Sequence, residues 1–600
     1  MNTRVPELKP IYDARDHKDF RELLNYAEFQ FMTDDAFILK TGKDENGDPI
    51  YRHITFQDFK NEVCWFGQGM LDLGLKGTRV AIIGKNSYEW YMSYYSVLCG
   101  LGIAVPLDKG LPYEETETSL IKSKADVFIF DKDHSGMAKQ LEENGKTQVK
   151  QFISMDGLTP GYRSVEEIMK KGCASMKSGN DEFLTLPIDG DKMAVILFTS
   201  GTTSKAKAVM LSERNILSNV YMLDQVEDLK HGDVTMAFLP FHHTFGSTGQ
   251  TMIISRGATT VFCDGLKYIG KNIKEYHISY YICVPLLIEA VWKRIQQGID
   301  KKGMRKKYER GVKIARFLRK FHIDVRRKIF KDVLKELGGE MRFVVSGASA
   351  LDPEVAKGYE DIGITVVQGY GMTEASPVIA GENSKTKSYG SIGYAMPGVD
   401  LVVADQNEEG IGELVCKGPN VMLGYYEDQE ATDEVLVNGW LHTGDLASLD
   451  QDGFIFIRGR KKNVIVLKNG KNVYPEEIEA LVGELPYVKE CMVYGEKRRR
   501  DGDKKDLTLA VKIVYDEDIM ERDYGVKVSP EPKDAADGEA ENKAVSRAEV
   551  SRDVIDSIVK RDIDAINEKL PTYKQIRRFD ITTEEMEKTT TGKIKRYAQN

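Results

Sequence analysis

The chain has 600 residues, which is too many for one hydrophobic core and predicts two to four domains. An apolar fraction of 41% and a charged fraction of 30% are ordinary for globular proteins and argue against a fibrous, disordered or membrane-embedded chain. The formal charge of −9 argues against a nucleic-acid partner. Seven scattered cysteines without a CxxC pair indicate neither a disulfide framework nor a zinc knuckle, and the N-terminus lacks an apolar signal segment. We therefore expect a cytoplasmic protein.

Short apolar runs alternate with helix-length segments over the first two thirds of the chain. Near-continuous apolar strands of this kind predict parallel sheets that helices cover on both faces. The runs are RVAII (79–83), DVFIF (126–130), MAVILF (193–198), MAFL (236–239), TTVFC (259–263), YYICV (280–284), MRFVV (341–345) and TVVQ (365–368).

After about residue 400 the strands become closely spaced, as in GELVCKG, FIFIRGR and NVIVLK. The dipeptide Asn469-Gly470 predicts a β-hairpin turn between NVIVLK and KNVY. Pro475, followed by several glutamates, predicts the first turn of a helix. Cys416 falls in a predicted strand and is interpreted as a core residue rather than a nucleophile.

The segment 301–331 is almost wholly basic, since Glu309 and Asp324 are its acidic residues. Ile314, Phe317, Leu318 and Phe321 recur in it at helical spacing. One interpretation is a solvated helical insertion packed on the body of the protein. The other is a patch that contacts anionic lipid headgroups at the inner membrane surface, or an acidic partner.

The stretch FTSGTTSKAKAVM (198–210) runs from an apolar strand into hydroxyls, one glycine and lysines. Hydroxyl and backbone N–H donors beside lysines after a strand are typical of a phosphate site. A P-loop is excluded, because its second glycine before the lysine is missing. Taken alone, the stretch is also compatible with an ordinary surface loop.

Five further motifs follow this loop in order. They are FLPFHHTFG (238–246), VSGASAL (345–351), QGYGMTEASP (368–377), GWLHTGDLASLDQDGFIFIRGRKKNVIVLKNGKNVYPEEIE (439–479) and KTTTGKIKR (588–596). The ordered set resembles the core motifs of the adenylate-forming superfamily, which includes acyl-CoA synthetases, luciferase and the adenylation domains of peptide synthetases. NGKNVYPEEIE and the helical insertion before MRFVVSGASAL are most similar to bacterial long-chain fatty acid CoA ligases.

The resemblance implies an α/β fold with a large N-terminal domain, residues 1–460, of parallel sheets flanked by helices plus a β-subdomain. A small mobile α+β domain, residues 461–600, would follow a hinge at Lys462. The implied reaction uses ATP, Mg²⁺ and coenzyme A to convert a medium- or long-chain fatty acid into acyl-AMP and then acyl-CoA. An acyl carrier protein as acceptor is the alternative.

The resemblance also implies roles for individual residues. Lys593 would bridge the carboxylate and the α-phosphate, Glu374 would position Mg²⁺, and Thr373 would lie near the α-phosphate. His243 would line the acyl pocket, and the loop with Lys468, Gly470 and Lys471 would approach CoA. The remaining implied ATP-binding residues are Thr199, Ser200, Gly201, Thr202, Thr203, Lys205, Lys207, Gly347, Ala348, Ser349, Gln368, Gly369, Tyr370, Gly371, Asp445 and Arg460. We expect no metal site at the pair His242–His243, because nothing near it in sequence supplies further ligands.

The chain departs from the superfamily pattern at Ser204, Ala206 and Ala208 in the loop and at Glu587 before the last motif. Loss of two glycines should stiffen a loop that closes on phosphates. A binding protein that has lost catalysis is therefore a further alternative. The presence of Glu374, Asp445, Arg460 and Lys593 together favours an enzyme.

Overall fold

The computed structural model describes residues 2–199, 206–468, 470–497, 507–526, 538–588 and 594–596, with the backbone alone at 497 and 538–551. The elements up to residue 226 are β1 (Thr3–Arg4), α1 (Phe20–Phe31), β2 (Asp35–Lys43), β3 (Pro49–Thr55), α2 (Phe56–Asp72), β4 (Thr78–Ile83), α3 (Tyr88–Ser96), β5 (Gly102–Leu107), α4 (Tyr113–Ser123), β6 (Val127–Phe130), α5 (Ser135–Asn144), β7 (Gln151–Ser154), β8 (Arg163–Ser164), α6 (Val165–Lys177), β9 (Met193–Thr199), β10 (Lys207–Ser212) and α7 (Glu213–Val226).

The middle of the chain adds β11 (Val234–Ala237), α8 (Thr244–Ser255), β12 (Thr259–Phe262), α9 (Ile269–Glu275), β13 (Tyr280–Cys283), α10 (Pro285–Lys301), α11 (Arg305–Arg319), α12 (Arg326–Ile329), α13 (Lys331–Lys335), β14 (Phe343–Ser346), α14 (Pro353–Asp361), β15 (Thr365–Gly371), β16 (Val378–Gly381) and β17 (Tyr394–Ala395). Each apolar run predicted as a strand forms one. The MAFL run is shifted, because β11 ends at Ala237 and Leu239 already belongs to the turn that leads to α8.

The last part contains β18 (Asp400–Ala404), β19 (Gly412–Lys417), β20 (Gly424–Tyr425), α15 (Gln429–Val435), β21 (Leu436–Val437), β22 (Trp440–Leu449), β23 (Ile455–Arg460), β24 (Ile465–Val466), β25 (Asn472–Val473), α16 (Pro475–Gly483), β26 (Val488–Lys497), β27 (Leu507–Tyr515), α17 (Glu517–Tyr524), α18 (Gly538–Lys569) and β28 (Ile576–Thr582). The predicted hairpin is confirmed by the antiparallel pair β24–β25, and α16 has the predicted proline at its start.

Three sheets carry the large N-terminal part of the chain. One has the order β20-β10-β9-β5-β4-β6-β7-β8, and its strands from β9 to β8 pair in parallel. The others are β11-β12-β2-β3 and β13-β14-β15-β16-β17. The central strand β4 is buried over Val80–Ile83, as a parallel sheet covered on both faces requires.

Antiparallel pairing dominates the rest. β1, β18, β19, β22, β21 and β23 form a β-subdomain, and β26-β27-β28 form the sheet of the C-terminal part. The C-terminal sheet packs with α16, α17 and α18 around its own apolar cluster, which includes Ile478, Val511 and Ile563. The α/β fold with a large N-terminal and a small C-terminal part therefore confirms the predicted fold class. Cys416 is buried in β19 as predicted, and burial raises the pKa of its thiol to about 12.

The basic segment folds as α11, α12 and α13. The buried face of α11 consists of Gly311 and Ala315, whereas Ile314 and Phe317 are exposed. Phe321 lies beyond the helix end and is 61% exposed. Among the residues that the structure describes, every helix is too short or too polar to span a lipid bilayer.

Candidate active site

The hydroxyl-rich loop predicted to bind phosphate connects two antiparallel strands. β9 ends at Thr199 and β10 begins at Lys207, and these residues are paired across the ladder. The Thr199 hydroxyl donates a hydrogen bond to the Lys207 carbonyl over 3.4 Å. The predicted phosphate ligands Ser200, Gly201, Thr202 and Thr203, and Lys205, lie outside the described residues. The structure thus fixes both ends of the loop.

Tyr425 joins two residues that the sequence predicts to act on the triphosphate. β20 pairs with β10, and Lys207 Nζ lies 4.6 Å from the centroid of the Tyr425 ring, which is a cation–π distance. The Tyr425 hydroxyl donates to Glu374 Oε1 over 2.8 Å. Burial, together with the Glu374 carboxylate, raises the pKa of Tyr425 and keeps the phenol a donor. We call Lys207, Tyr425 and Glu374 the Tyr425 cluster.

Glu374 lies in a short turn, Thr373–Ala375, that follows β15. The backbone of this turn is fixed from outside, because the Met422 N–H donates to the Glu374 carbonyl over 2.9 Å and the Asn420 amide donates to the Ala375 carbonyl over 3.0 Å. The Glu374 side chain is buried. A single buried carboxylate suits Mg²⁺, which takes one or two protein carboxylates and completes its shell with water and substrate phosphates.

Asp445 contacts two side chains of the predicted site, Arg460 through an ion pair and Tyr370 through a hydrogen bond. Asp445 on β22 and Arg460 on β23 are directly paired across the ladder, and Arg460 Nε lies 2.7 Å from Asp445 Oδ1. The Tyr370 hydroxyl, at the end of β15, donates to Asp445 Oδ2 over 2.5 Å. Burial and Asp445 raise the pKa of Tyr370 far above its usual value. We call Tyr370, Asp445 and Arg460 the Asp445 cluster.

The predicted adenine turn, Gly347-Ala348-Ser349, directly follows β14. Ala348 has a φ of 73°, a left-handed conformation that non-glycine residues adopt at a cost and that is typical of functional sites. A Cβ atom on Gly347 would lie 2.7 Å from the Phe245 ring, so the close approach of α8 requires glycine there. The turn therefore packs closely against Phe245 of α8.

The strand β15 contributes the predicted residues Gln368 to Gly371. Gln368 is buried, and its side-chain carbonyl accepts the N–H of Leu351, just beyond the adenine turn, over 3.0 Å. Gln368 therefore holds in place the residue that closely follows the adenine turn. Gly369 pairs with Gly381 of β16. A Cβ atom on Gly371 would lie 1.9 Å from the Pro377 carbonyl oxygen, so glycine lets the chain fold back toward Glu374.

The predicted hinge residue Lys462 lies in a short turn, Lys461–Asn463, immediately after β23. Burial lowers its pKa, and the positive charges of Arg460 and Lys207 lower it further. Asn463, the next residue, donates to Glu476 Oε1 on α16 over 2.7 Å.

The hairpin β24–β25 carries the residues predicted to approach CoA. Gly470 has a φ of 77°, the conformation that the turn requires. Lys468 precedes it, and Lys471 Nζ lies 4.2 Å from the centroid of the Tyr573 ring. The Asn469 position of the predicted turn lies outside the described residues.

Lys593 also lies outside the described residues, but both ends of its loop are defined. Lys588 and Ile594 form an antiparallel bridge, and Lys588 makes an ion pair with Glu490 on β26. Arg596 Nη2 donates to both oxygens of Glu479 on α16, over 2.7 and 2.5 Å. We call residues 588–596 the lysine loop.

His242 and His243 immediately precede α8, and the expectation that no further ligand lies near them is wrong. The fold brings Asp108, which follows β5, to the pair, and the donor atoms of all three side chains lie within 4.8 Å of one another. Sequence reasoning missed this because Asp108 is far away along the chain. Burial, with His242 beside it, lowers the pKa of His243 to about 4.

A protein-family profile matches the part of the chain that carries much of this site. The profile described as AMP-binding enzyme matches residues 34–426, which is more than half of the chain. The chain belongs to the AMP-binding enzyme family. The match includes the Tyr425 cluster, the adenine turn and His243, whereas the whole lysine loop lies beyond it.

The curated relatives have low sequence identity to this chain but align with about three quarters of it. A long-chain-fatty-acid–CoA ligase, FadD15 of Mycobacterium bovis, is 25% identical and covers 75% of this chain and 76% of its own. A chloroplastic long-chain-fatty-acid–[acyl-carrier-protein] ligase of Arabidopsis thaliana, AEE15, is 26% identical over 75% of this chain and 71% of its own. The fold is similar to the crystal structure of the anthranilate CoA ligase AuaEII with anthranoyl-AMP, at a TM-score of 0.71 and 20% identity, covering 98% and 97% of the two chains.

Tyr425 is the site residue that sequence reasoning missed among those described. It stands in LGYYED, which has no phosphate-binding pattern, and the reading of the sequence gave it no role. The sequence holds no local signal for it, because β20 lies in a different sheet from β15, where the QGYGMTEASP motif begins. The contact with Glu374 depends on the pairing of β20 with β10, which a single sequence does not reveal.

Proposed function

We propose that the protein is an ATP-dependent acid–thiol ligase that activates a medium- or long-chain fatty acid as acyl-AMP and transfers the acyl group to CoA, with release of AMP and pyrophosphate. The observation that carries the proposal is the Tyr425 cluster, in which one phenol contacts a lysine and a buried carboxylate. The names of the curated relatives support the fatty acid and CoA as substrates.

The first half-reaction requires one anion to attack another. A carboxylate approaches the α-phosphorus of ATP, so positive charges and hydrogen-bond donors must offset the repulsion. Lys207 and the hydroxyl loop from Thr199 to Thr203 bind the β and γ phosphates in this proposal. Glu374 would hold Mg²⁺, which supplies further positive charge at the phosphate oxygens. Thr373 lies next to it and donates near the α-phosphate.

The Asp445 cluster binds the ribose in this proposal. Asp445 accepts hydrogen bonds from the two ribose hydroxyls, while Arg460 and Tyr370 hold its carboxylate in place. The turn 347–349 and the backbone of β15 from Gln368 to Gly371 form the adenine slot. His243 lines the acyl pocket in this proposal. It immediately precedes α8, the helix whose Phe245 lies against Gly347 of the adenine turn.

The two halves of the reaction use the C-terminal part differently. We assign residues 1–460 and 461–600 to two domains that rotate about Lys462, whose turn absorbs the change in backbone angles. Lys593 bridges the substrate carboxylate and the α-phosphate during adenylation. After rotation it is withdrawn, and the hairpin with Lys468 and Gly470 approaches CoA.

Pyrophosphate exchange into ATP, driven by a panel of fatty acids of increasing length, tests the first half-reaction. We expect exchange that depends on both the fatty acid and Mg²⁺, and a large loss in Glu374→Gln. Glu354→Gln, an exposed glutamate on α14, is the matched control and should retain the wild-type rate. Absence of exchange with every carboxylic acid would refute the enzyme and favour a nucleotide-binding protein.

The acyl acceptor needs a separate test, since the relative AEE15 is named for an acyl-carrier-protein substrate. Acyl-AMP supplied with either CoA or a holo acyl carrier protein distinguishes the two acceptors. We expect acyl-CoA as the main product. Faster acylation of the carrier protein would replace CoA in the proposal and leave the adenylation step unchanged.

We further propose peripheral contact of segment 301–331 with anionic membranes. Ile314, Phe317 and Phe321 are exposed, and the Phe317 and Phe321 rings lie 5.3 Å apart. Exposed aromatic side chains among lysines suit the boundary between headgroups and acyl chains. Lys313 and Lys320 flank these rings and, within the described part of the chain, make no ion pair.

Sedimentation with vesicles of anionic or zwitterionic lipid tests this contact. We expect binding to anionic vesicles that weakens with salt and is reduced in Lys313→Glu/Lys320→Glu and in Phe317→Ser. Lys139→Glu/Lys150→Glu, two exposed lysines elsewhere, should bind like the wild type. Binding that is insensitive to salt and unchanged in both variants of segment 301–331 would mean that the segment is only a structural insertion.

A further inference from the structure

Three side chains from two distant parts of the chain meet at the start of α8. Asp108 follows β5, whereas His242 and His243 end the turn that connects β11 to α8. The two imidazole rings lie 4.2 Å apart between centroids, and their donor atoms lie within 4.8 Å of each other and of a carboxylate oxygen of Asp108. We call these residues the histidine cluster.

His242 has an unsatisfied polar atom in this cluster. Its side chain is only 7% exposed, and its Nε2 atom is buried without a hydrogen-bond partner among the described residues. Asp108 Oδ1 lies 3.5 Å away and makes no hydrogen bond with it. Buried polar groups in folded proteins almost always have a partner, so this atom is suited to bind a ligand.

We propose that the histidine cluster is a binding site for a divalent first-row transition-metal ion, with Zn²⁺ as the best match. Two imidazoles and one carboxylate are the protein ligands of zinc sites that keep a fourth position open. Imidazole and carboxylate together also favour Zn²⁺, Co²⁺ or Ni²⁺ over Mg²⁺ and Ca²⁺, which prefer oxygen ligands throughout.

The distances are compatible with such a site after a small side-chain rotation. Zinc–ligand bonds of about 2.0–2.2 Å place tetrahedral donor atoms roughly 3.4 Å apart. The 3.5 Å between His242 Nε2 and Asp108 Oδ1 already has this value. The His243 donor atom lies within 4.8 Å of the other two, so reaching about 3.4 Å needs a shift of about 1.4 Å at most.

The loop after β5 is prepared to present the Asp108 carboxylate. Asp108 Oδ1 accepts the N–H of Gly110 over 2.8 Å, and the Asp108 carbonyl accepts the N–H of Leu111 over 3.1 Å. Hydrogen bonds to a metal-binding carboxylate of this kind orient it before the ion arrives. This site differs from that of Glu374, which offers one carboxylate and no imidazole. It shares His243 with the acyl pocket of the proposed function, so a bound ion would lie at the edge of that pocket.

Titration of the metal-free full-length protein with Co²⁺, followed by its visible absorption, tests the proposal without ATP or fatty acid. We expect one equivalent to give the intense bands of tetrahedral Co²⁺, displacement by Zn²⁺ and no displacement by excess Mg²⁺. Asp108→Asn keeps an oxygen for the Gly110 N–H and should weaken binding by at least the roughly 10- to 100-fold that loss of an outer-shell partner costs. His242→Gln should do the same.

His231→Gln is the matched control, because His231 is an exposed histidine that faces Asp34 and should leave binding unchanged. Equal affinity in wild type and Asp108→Asn, or binding with the weak spectrum of hexaaqua-like Co²⁺, would overturn the proposal. If both cluster variants fail to fold, X-ray absorption of the zinc-loaded wild type decides. Two imidazoles around each ion, with oxygen atoms as the remaining ligands, support the site, and any other number of imidazoles refutes it. A failed pyrophosphate-exchange assay has no bearing on this result.

Discussion

The Tyr425 and Asp445 clusters and the lysine loop hold their charged groups in different ways. In the two clusters, phenol hydroxyls with raised pKa values donate directly to the carboxylates proposed to bind Mg²⁺ and the ribose. In the lysine loop, the ion pairs of Lys588 and Arg596 fix the two ends, and the proposed catalytic lysine lies between them. The two clusters therefore position individual atoms, the carboxylate oxygens. The two ion pairs position a segment, the loop that carries the lysine.

This difference predicts how the half-reactions separate. The Asp445 cluster contacts the adenosine part, which is present in both ATP and acyl-AMP, so damage there should affect both halves. The lysine loop contributes to adenylation alone in the proposed cycle. Variants at its ends should therefore separate the two activities, and those at the Asp445 cluster should not.

Lys593→Ala should have the largest effect. Removing one preorganised charge from the transition state typically costs about 10²- to 10³-fold in rate, and we expect this loss in fatty-acid-dependent pyrophosphate exchange. Thioester formation from supplied acyl-AMP should be largely spared. Lys595→Ala, two residues away in the same loop, is the control. Equal losses in both halves would contradict the assigned role.

Arg596→Ala should cause the next largest loss, about 10- to 100-fold in adenylation, because a misplaced catalytic group loses rate steeply with distance. Arg596 binds both oxygens of Glu479 and also donates to the Val493 carbonyl over 3.1 Å, so its removal frees one end of the loop. The two half-reactions measured separately check this, with Arg596→Lys giving partial rescue.

Arg578→Ala is the control for that experiment. Arg578 also pairs with glutamate and aspartate side chains of the C-terminal sheet, but it does not bind the loop. A loss in thioester formation equal to that in adenylation would mean that Arg596 stabilises the domain as a whole. A thermal unfolding curve then shows a lowered midpoint as well.

Local sequence patterns were sufficient for most of the fold. Apolar runs such as those of β4 and β9 are strands because burial on both faces leaves no polar alternation, and this shows in the sequence. The Asn469-Gly470 turn and Pro475 predicted a hairpin and a helix start that the backbone confirms. Segment 301–331 was harder, because spacing gave the helix but did not reveal that Gly311 and Ala315 face inward.

The candidate site was less accessible to sequence reasoning. The ordered motifs identified Glu374, Asp445 and Lys207, but their partners come from other strands. Tyr425 reaches Glu374 through the β20–β10 pairing, and Asp108 reaches His242 across the body of the protein. Contacts between residues far apart in sequence leave no local pattern, so one sequence gives the reactive residues and not the groups that tune them.

Tyr425→Phe should reduce adenylation by about tenfold. The change removes the hydrogen bond to Glu374, and bonds to charged groups contribute about 1.5–3 kcal/mol, of which water recovers part. The ring that faces Lys207 stays. Pyrophosphate exchange at varied Mg²⁺ checks this, and we expect a higher Mg²⁺ requirement. Tyr426→Phe is the matched control, because its hydroxyl accepts from Arg79 instead of contacting the cluster. Equal effects of the two variants would show that the Tyr425 hydroxyl has no specific role in the site.

Tyr370→Phe should have the smallest effect, about fivefold. The lost bond to a charged group contributes about 1.5–3 kcal/mol, but Arg460 stays paired with Asp445 and offsets part of the loss. The deciding measurement is the ratio of the losses in the two half-reactions. Adenylation and thioester formation should fall by the same factor, because the ribose remains bound throughout. Tyr394→Phe, which loses a bond to the Asp452 carbonyl outside the site, should change neither. A loss confined to adenylation would place Tyr370 with the lysine loop and end the distinction between positioning an atom and positioning a segment.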